Sequence, residues 1–411
     1  MNLVLLTHPG FLGLRSQAHF ACMLAEAYRA RGHTVQLRQP NDALHSRFGA
    51  TPLAKWAGYI DQYLLFPQQL RRQAQQDPPG TLYVFCDQAL GPWVPVLAQR
   101  PHVVHCHDLL ALRSALGEIP ENPTRLSGRL YQRYIRRGFG QARHFISISQ
   151  HTRSDLHRVG LVSGSLPFTS EVVLNGLNHD YQPLPEDEAR TTLWRAGLAM
   201  PEAGFLLHVG GGQWYKNMAG VVALYAHLAA RVQAQGRPVP ALLMVSPRPA
   251  GATQAWLQQV PRGAQVMFRQ GLDARTLQAL YSSARALLFP SLAEGFGWPV
   301  AEALACGCPV LTTDAGPMNE VGGDAAMYLP RLPTASALPA WAEAGATQLM
   351  QLLAEPPAVA NARRQRALSQ AVLFDSDRAI DAYLRIYECV LRLEHAPPTA
   401  AAATTARIAQ L

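Results

Sequence analysis

Leu287 to Val310 reads LLFPSLAEGFGWPVAEALACGCPV, and the fold can be argued outward from it. Leu287, Leu288 and Phe289 form a short apolar run closed by Pro290 and Ser291, the pattern of a buried parallel strand. Gly295 and Gly297 let the backbone turn tightly and approach a ligand. Pro299 suits the first position of a helix, and Gly307 the residue just past its end. The stretch is therefore strand, loop, helix. In open α/β sheets ligands bind at the carboxyl end of such a strand, and the free N–H groups and dipole of the helix favour phosphate there. Glu294 falls in the loop, and Glu302 is expected in the first helical turn. Carboxylates beside an anion site are electrostatically awkward unless they accept hydrogen bonds from neutral hydroxyls. Phosphate and hydroxyls at one site imply a sugar nucleotide.

A chain of 411 residues exceeds one ordinary core and suggests two domains. Its 48% hydrophobic and 16% charged content is that of a globular protein. No apolar run approaches the ~18 residues of a membrane span. MNLVLLTHPG carries no basic region before its apolar run and reads as a first strand rather than a signal peptide. The six cysteines are scattered and read as reduced cytosolic thiols. Cys306 and Cys308 lack the second pair that a zinc site requires. The net charge of +8 is uneven: Met1 to Asp180 holds 18 Lys+Arg against 11 Asp+Glu, while the remainder is nearly neutral. The first half thus suits an anionic partner. Lys55 and Lys216 are the only lysines, so a lysine kept at 216 stands out.

The N-terminal half opens with a strand at Leu3–Leu6, then the loop HPGFLGLRSQ with Gly10 and Gly13. It is not the GxGxxG dinucleotide pattern. The loop is either an ordinary tight turn or a backbone that closes over a ligand. A later buried strand ends in HCHDL. His105 and His107 share a strand face, and three readings stay open: a metal pair lacking a third ligand, a structural histidine, or a substrate contact at a strand tip. RLSGRLYQRYIRRGFGQAR, residues 125–143, interleaves arginines with apolar residues at helical spacing. A solvated helix face and docking on an anionic membrane or acceptor both fit; nucleic acid fits least, with no supporting motif. Residues 50–76 look helical, with Trp56, Tyr59, Ile60, Tyr63 and Leu64 on an apolar face. Thr152 is a candidate helix cap, and the polar stretch at about 176–200 a linker. Beyond it a strand runs into GGGQWYKN, where three glycines free backbone N–H groups for an anion and Lys216 adds a point charge.

These residues resemble a known family. AEGFGWPVAEALACGCPV is similar to the Glu-x7-Glu motif of retaining glycosyltransferases of the GT-B fold, in the family 4 group (glycosyl transferases group 1). HDL at 107–109, SISQHT at 147–152, VVLNGLNHDYQPLP at 172–185, HVGGGQWYKN at 208–217, LQALYSSARALLFPS at 277–291 and NEVGGDAA at 319–326 all fall in the expected order. The resemblance implies an α/β protein with two Rossmann-like domains facing across a cleft. Residues 1–176 would bind the acceptor, with 377–394 crossing back to them; 200–372 would bind the nucleotide sugar; 395–411 would be a disordered tail.

By position, the resemblance assigns Glu294 to sugar hydroxyls and Glu302 to ribose. Backbone N–H groups of Gly295, Phe296 and Gly297 would meet the sugar or diphosphate, and Lys216 the leaving diphosphate. His107 would contact the transferred sugar, Gly13 would let the first domain close, and the strand end near Arg269 would cradle the base. No metal or other cofactor is implied. Members often carry arginine where Gly211 stands; backbone N–H groups, Arg15 or Arg269 would have to substitute.

The expected function is transfer of a hexose, mannose or glucose, from an NDP-sugar to a glycan or lipid-linked acceptor in surface polysaccharide assembly. The setting is cytoplasmic, peripheral on the inner membrane face. A GT-B sugar-nucleotide epimerase and a non-catalytic sugar-nucleotide-binding module are the alternatives.

Overall fold

The computed structural model describes residues 1–13, 15–49, 51–163 and 169–395. The tail expected to be disordered lies outside them from residue 396 on. The chain forms two compact units, Met1–Asn175 with Ser376–Leu411, and Gly176–Asp375.

The first unit is built on six parallel strands: β1 (Asn2–Leu6), β2 (Thr34–Arg38), β3 (Leu82–Phe85), β4 (His102–Cys106), β5 (His144–Ser147) and β6 (Thr169–Val172). The second is built on β7 (Phe205–Val209), β8 (Ala241–Val245), β9 (Val266–Arg269), β10 (Ala286–Phe289), β11 (Val310–Thr313) and β12 (Met327–Leu329), also parallel. The central strands are apolar on both faces because helices cover both sides, as parallel sheets require.

Strand order places the functional loops. The first sheet runs β2-β1-β3-β4-β5-β6 and the second β12-β11-β10-β7-β8-β9. The order reverses between β1 and β3 in one, and between β7 and β10 in the other. A crevice opens at the carboxyl ends of strands at such a reversal. HPGFLG follows β1, GGGQWYKN follows β7, and PSLAEGFG follows β10.

The principal helices are α1 (Arg15–Ala30), α2 (Pro52–Ile60), α3 (Phe66–Gln76), α4 (Leu126–Phe139), α5 (Glu186–Arg195), α6 (Met218–Ala234), α7 (Ala274–Ser283), α8 (Trp298–Ala305), α9 (Leu338–Leu353) and α10 (Ser376–His395). A π-helical segment, Asp61–Leu65, joins α2 to α3. Helix α4 lies very close to the turn Gln88–Trp93: a Cβ on Gly138 would come within 2.2 Å of the Gly91 carbonyl oxygen, so both positions need glycine. Helix α10 belongs to the first unit, where Ile380, Tyr383 and Tyr387 enter one core with Phe20 and Tyr28 of α1. Tyr387 accepts a hydrogen bond from Tyr28 and bonds the ring of His105 at 2.7 Å.

Two local readings change, and two apolar stripes gain detail. Ser149, not Thr152, caps the helix Gln150–Asp155, its Oγ accepting from the Thr152 N–H. The expected linker at 176–200 holds α5, which opens on Glu186, Asp187 and Glu188, the acids a helix N-terminus favours. The interleaved stripe of α4 splits: Ile135 and Phe139 are buried, whereas Leu126, Leu130 and Tyr134 are exposed. The apolar face of 50–76 is likewise turned partly outward at Trp56, Ile60 and Leu64.

Candidate active site

The opening stretch folds as strand, loop and helix, with one change of position. Helix α8 starts at Trp298, capped by Gly297 at φ 98°, a left-handed conformation that favours glycine. Glu302 is therefore one residue further in than expected, just past the first turn, which carries no acid. Nothing in that turn opposes an anion at the helix N-terminus. Gly307 follows the helix end at φ 69°.

The two carboxylates are disposed of differently. Glu294 accepts a hydrogen bond from Lys216 Nζ at 2.8 Å, both side chains being nearly buried. Lys216 Nζ also stands 4.6 Å from the ring centroid of Phe289, a cation–π contact. Glu302 accepts from the Tyr281 hydroxyl at 2.7 Å, and both are buried. Burial pushes the Glu302 carboxyl up to about 7, against the smaller opposing pulls of Tyr281 and the Lys216 charge. One carboxylate is neutralised by an ion pair and the other is half protonated near neutral pH. Neither puts a full negative charge beside the helix N-terminus.

The loops after β7 and β10 are tied together. Leu292 N–H donates to the Tyr215 carbonyl at 2.7 Å. Asn217 has a left-handed backbone at φ 52°; its Nδ2 donates to the Pro290 carbonyl, and its Oδ1 accepts from Gly220 N–H to cap α6. These bonds hold Lys216, next in the chain, against Glu294. A cavity of about 450 Å³ opens beside them, lined by Gly210, Gly211, Lys216, Ser246, Gln270 and Gly271 among others. A Cβ on Gly210 would stand 2.9 Å from His208 Nε2, so the backbone passes directly over that ring. His208 donates from Nδ1 to the Leu288 carbonyl, and burial drops its pKa to about 4, leaving it neutral.

The second unit thus assembles Lys216, Glu294, Glu302, Gly211 and Gly297 around the β7–β10 reversal. Phe296 is buried against Trp298 and Phe374, which leaves only its backbone to face a ligand. Arg269 is exposed, its Nη1 donating to the Phe268 carbonyl, and Gln270 and Gly271 form the cavity wall there. The Arg15 side chain lies outside the described part of the structure. Tyr281 and Asn217 escaped the sequence reading. The signal for Asn217 was its place as cap before α6; Tyr281 carried none.

In the first unit, Gly13 (φ 65°) closes the short turn Gly10–Leu12, its N–H donating to the Gly10 carbonyl at 3.1 Å. His107 stands just beyond β4. Its N–H donates to Gln88 Oε1 at 2.9 Å, and its Nε2 meets the Cys86 carbonyl at 2.8 Å. A carbonyl only accepts, so Nε2 is the donor in this contact. Phe20 packs edge-on against the ring, 4.7 Å between centroids. The metal-pair reading finds no cluster among the described residues, and His105 is turned to Tyr387.

Two parallel sheets with glycine-rich loops at their strand-order reversals, one flanked by a lysine–carboxylate pair, define a GT-B architecture. Residues 205–350 match the family described as Glycosyl transferases group 1, and residues 17–166 match the Glycosyl transferase 4-like domain. The chain belongs to the group 1 glycosyltransferases. It is 26% identical over 202 residues to O-antigen chain mannosyltransferase B of Escherichia coli, covering 48% of this chain and 50% of that protein. It is 28% identical to a D-inositol 3-phosphate glycosyltransferase of Gordonia bronchialis, over 77% of this chain and 68% of the other. The match thus spans half the length of the first relative. Among solved structures it is similar to sucrose-phosphate synthase from Thermosynechococcus elongatus, with a TM-score of 0.67 and 20% identity over 94% of this chain and 98% of that one. It is also similar to Anabaena HepE in complex with UDP and glucose, with a TM-score of 0.61 and 17% identity over 94% and 98% of the two chains.

Proposed function

We propose that the protein is a retaining glycosyltransferase that moves a hexose from an NDP-sugar to a glycan or lipid-linked acceptor in surface polysaccharide assembly. It works in the cytoplasm at the inner face of the membrane. The Lys216–Glu294 pair beside the α8 N-terminus carries this reading. It joins an anion site to a hydroxyl acceptor, which are the two recognition demands of a sugar diphosphate. Mannose is favoured over glucose because the Escherichia coli relative is named a mannosyltransferase.

In the reaction the bond from the sugar's anomeric carbon to phosphate oxygen breaks, and a bond to the acceptor oxygen forms on the same face. The acceptor's proton passes to the departing diphosphate. Negative charge grows on that diphosphate, and Lys216 with the α8 N-terminus balances it in place of a divalent cation. Glu294 accepts from the sugar hydroxyls and Glu302 from the ribose. His107, with Nε2 fixed on Cys86, presents Nδ1 to a hydroxyl of the transferred sugar. Gly211 offers backbone N–H where relatives often carry arginine.

The test is a panel of NDP-mannose and NDP-glucose donors with lipid-linked acceptors, read by mass spectrometry and by NMR of the new linkage. An α-linked product from an α-linked donor is expected. An inverted linkage, or donor epimerised with no acceptor present, would overturn the reading.

A further inference from the structure

The strand-order reversal of the first unit gathers three loops around one buried carboxylate. β1, β3 and β4 are neighbours in the sheet. Just past their carboxyl ends stand His8, the turn Cys86-Asp87-Gln88, and His107. The turn grips His107 through the Cys86 carbonyl and the Gln88 side chain. Asp87, between those two residues, reaches toward β1. Its Oδ2 lies 3.3 Å from His8 Nε2 and accepts from Gln17 Nε2 of α1 at 3.0 Å. Its Oδ1 accepts from the Ala89 N–H at 2.7 Å.

The fold does not need a charge at Asp87. Capping the Ala89 N–H and holding Gln17 take only a neutral oxygen, which asparagine would supply equally well. Asp87 is nonetheless a carboxylate at 4% exposure, where charge is costly. Burial pushes its pKa up, yet the His8 and His107 rings and the Ala89 N–H hold it below the ordinary value. Its neighbours on β1 are left open. His8 Nε2 is in ion-pair range of Asp87 but makes no aligned hydrogen bond with any described residue. Thr7, 6% exposed, likewise has no described hydrogen-bond partner at Oγ1. Two adjacent buried polar atoms without partners, at the crevice of a parallel sheet, point to a bound polar group.

The charge of the pair selects that group. With His8 protonated the pair is neutral in sum, and with His8 neutral it is negative. In neither form does it offer net positive charge to a phosphate. It can exchange hydrogen bonds with a neutral hydroxyl in both. We propose that His8 binds a hydroxyl of the acceptor, that Asp87 positions the His8 ring, and that the group received there is an uncharged sugar rather than a phosphorylated one. Calling this group the acceptor rests on the transferase reading above.

The experiment is saturation-transfer NMR on the full chain with NDP present, using methyl α-mannoside and mannose 6-phosphate as probes. The mannoside is expected to bind and the phosphate to bind more weakly. His8→Ala should lower mannoside affinity about 10- to 100-fold, and Asp87→Asn, which removes only the charge, about tenfold. His8→Gln, which can still hydrogen-bond a hydroxyl, should recover part of the loss. In transfer assays the loss should fall on the acceptor's KM, while NDP affinity stays within twofold. Unchanged hydrogen exchange in peptides spanning β1 and β3 shows that the first unit of each variant is intact. Tighter binding of the phosphate probe, or mannoside binding that His8→Ala and Asp87→Asn leave unchanged, would overturn the proposal. A parent that binds mannoside through His8 but transfers no sugar would support the subsite and sink the transferase reading instead.

Discussion

Lys216→Met tests whether the lysine at the candidate site acts on substrate or merely balances Glu294. At 2.8 Å the pair's gross attraction is about 6 kcal/mol at an effective dielectric of about 20. Removing both groups from water offsets most of it, so the intact pair contributes little net stability. Breaking it is different. With side-chain exposures of 12% and 9%, Lys216→Met leaves a nearly buried carboxylate unpaired and should cost about 3 kcal/mol. Glu294→Gln keeps a neutral acceptor for Lys216 and should cost about 1–2 kcal/mol. The double variant removes both charges and should lie within about 1 kcal/mol of the parent, a coupling of about 3–5 kcal/mol. Urea unfolding, followed by hydrogen exchange of peptides from Gly176–Asp375, measures all three. Turnover should fall by about 100-fold or more in each, including the restabilised double variant. A double variant that regains both stability and turnover would sink the catalytic role, and strictly additive stability losses would sink the pair.

Glu302 titrates at about 7 in the folded protein against an ordinary 4.5, so between those values the folded state holds a proton that the unfolded chain has lost. Its contribution to stability is complete below about pH 4.5 and is lost as pH rises to about 7, a change of about 3 kcal/mol. Glu302→Gln should flatten that part of the melting temperature against pH. Tyr281→Phe removes a donor that favours the carboxylate, and should move the loss of NDP-sugar affinity on acidification upward by about one pH unit, read by calorimetry. Gly211→Arg is sterically cheap, because its Cβ meets only the mobile end of Gln213; it should tighten diphosphate binding about fivefold in the same calorimetry. His107→Ala should reduce turnover about 100-fold while NDP affinity, carried by the other unit, stays within twofold.

The fold was legible wherever a strand is buried on both faces. LLF at 287–289, FLLHV at 205–209 and VVHC at 103–106 are such runs, and each is a strand followed by a loop that matters. The site's glycines and its lone second lysine were legible because backbone reach and a rare cation are local properties. Tertiary partners were not. Tyr281 lies on a helix whose buried face would have taken any large side chain, and its hydroxyl gains meaning only beside Glu302. The pairing of Lys216 with Glu294 crosses 78 positions of sequence. Glu302 was placed in the first turn because Pro299 was read as the first helical residue; α8 starts one residue earlier, at Trp298. The exposure of α2's apolar face was not legible for a related reason: periodicity identifies an apolar stripe, and only packing decides whether anything covers it.

Helix α10 also bears on how the chain is made. A ribosome that has released Met1–Asn175 has released a sheet whose α1 side is still missing Ile380, Tyr383 and Tyr387. The whole of Gly176–Asp375 must emerge before that gap is filled. The unit that begins first is therefore completed second, reversing the usual vectorial order. Until then Tyr28 lacks the Tyr387 hydroxyl, and the leucines around it lack the apolar face of α10.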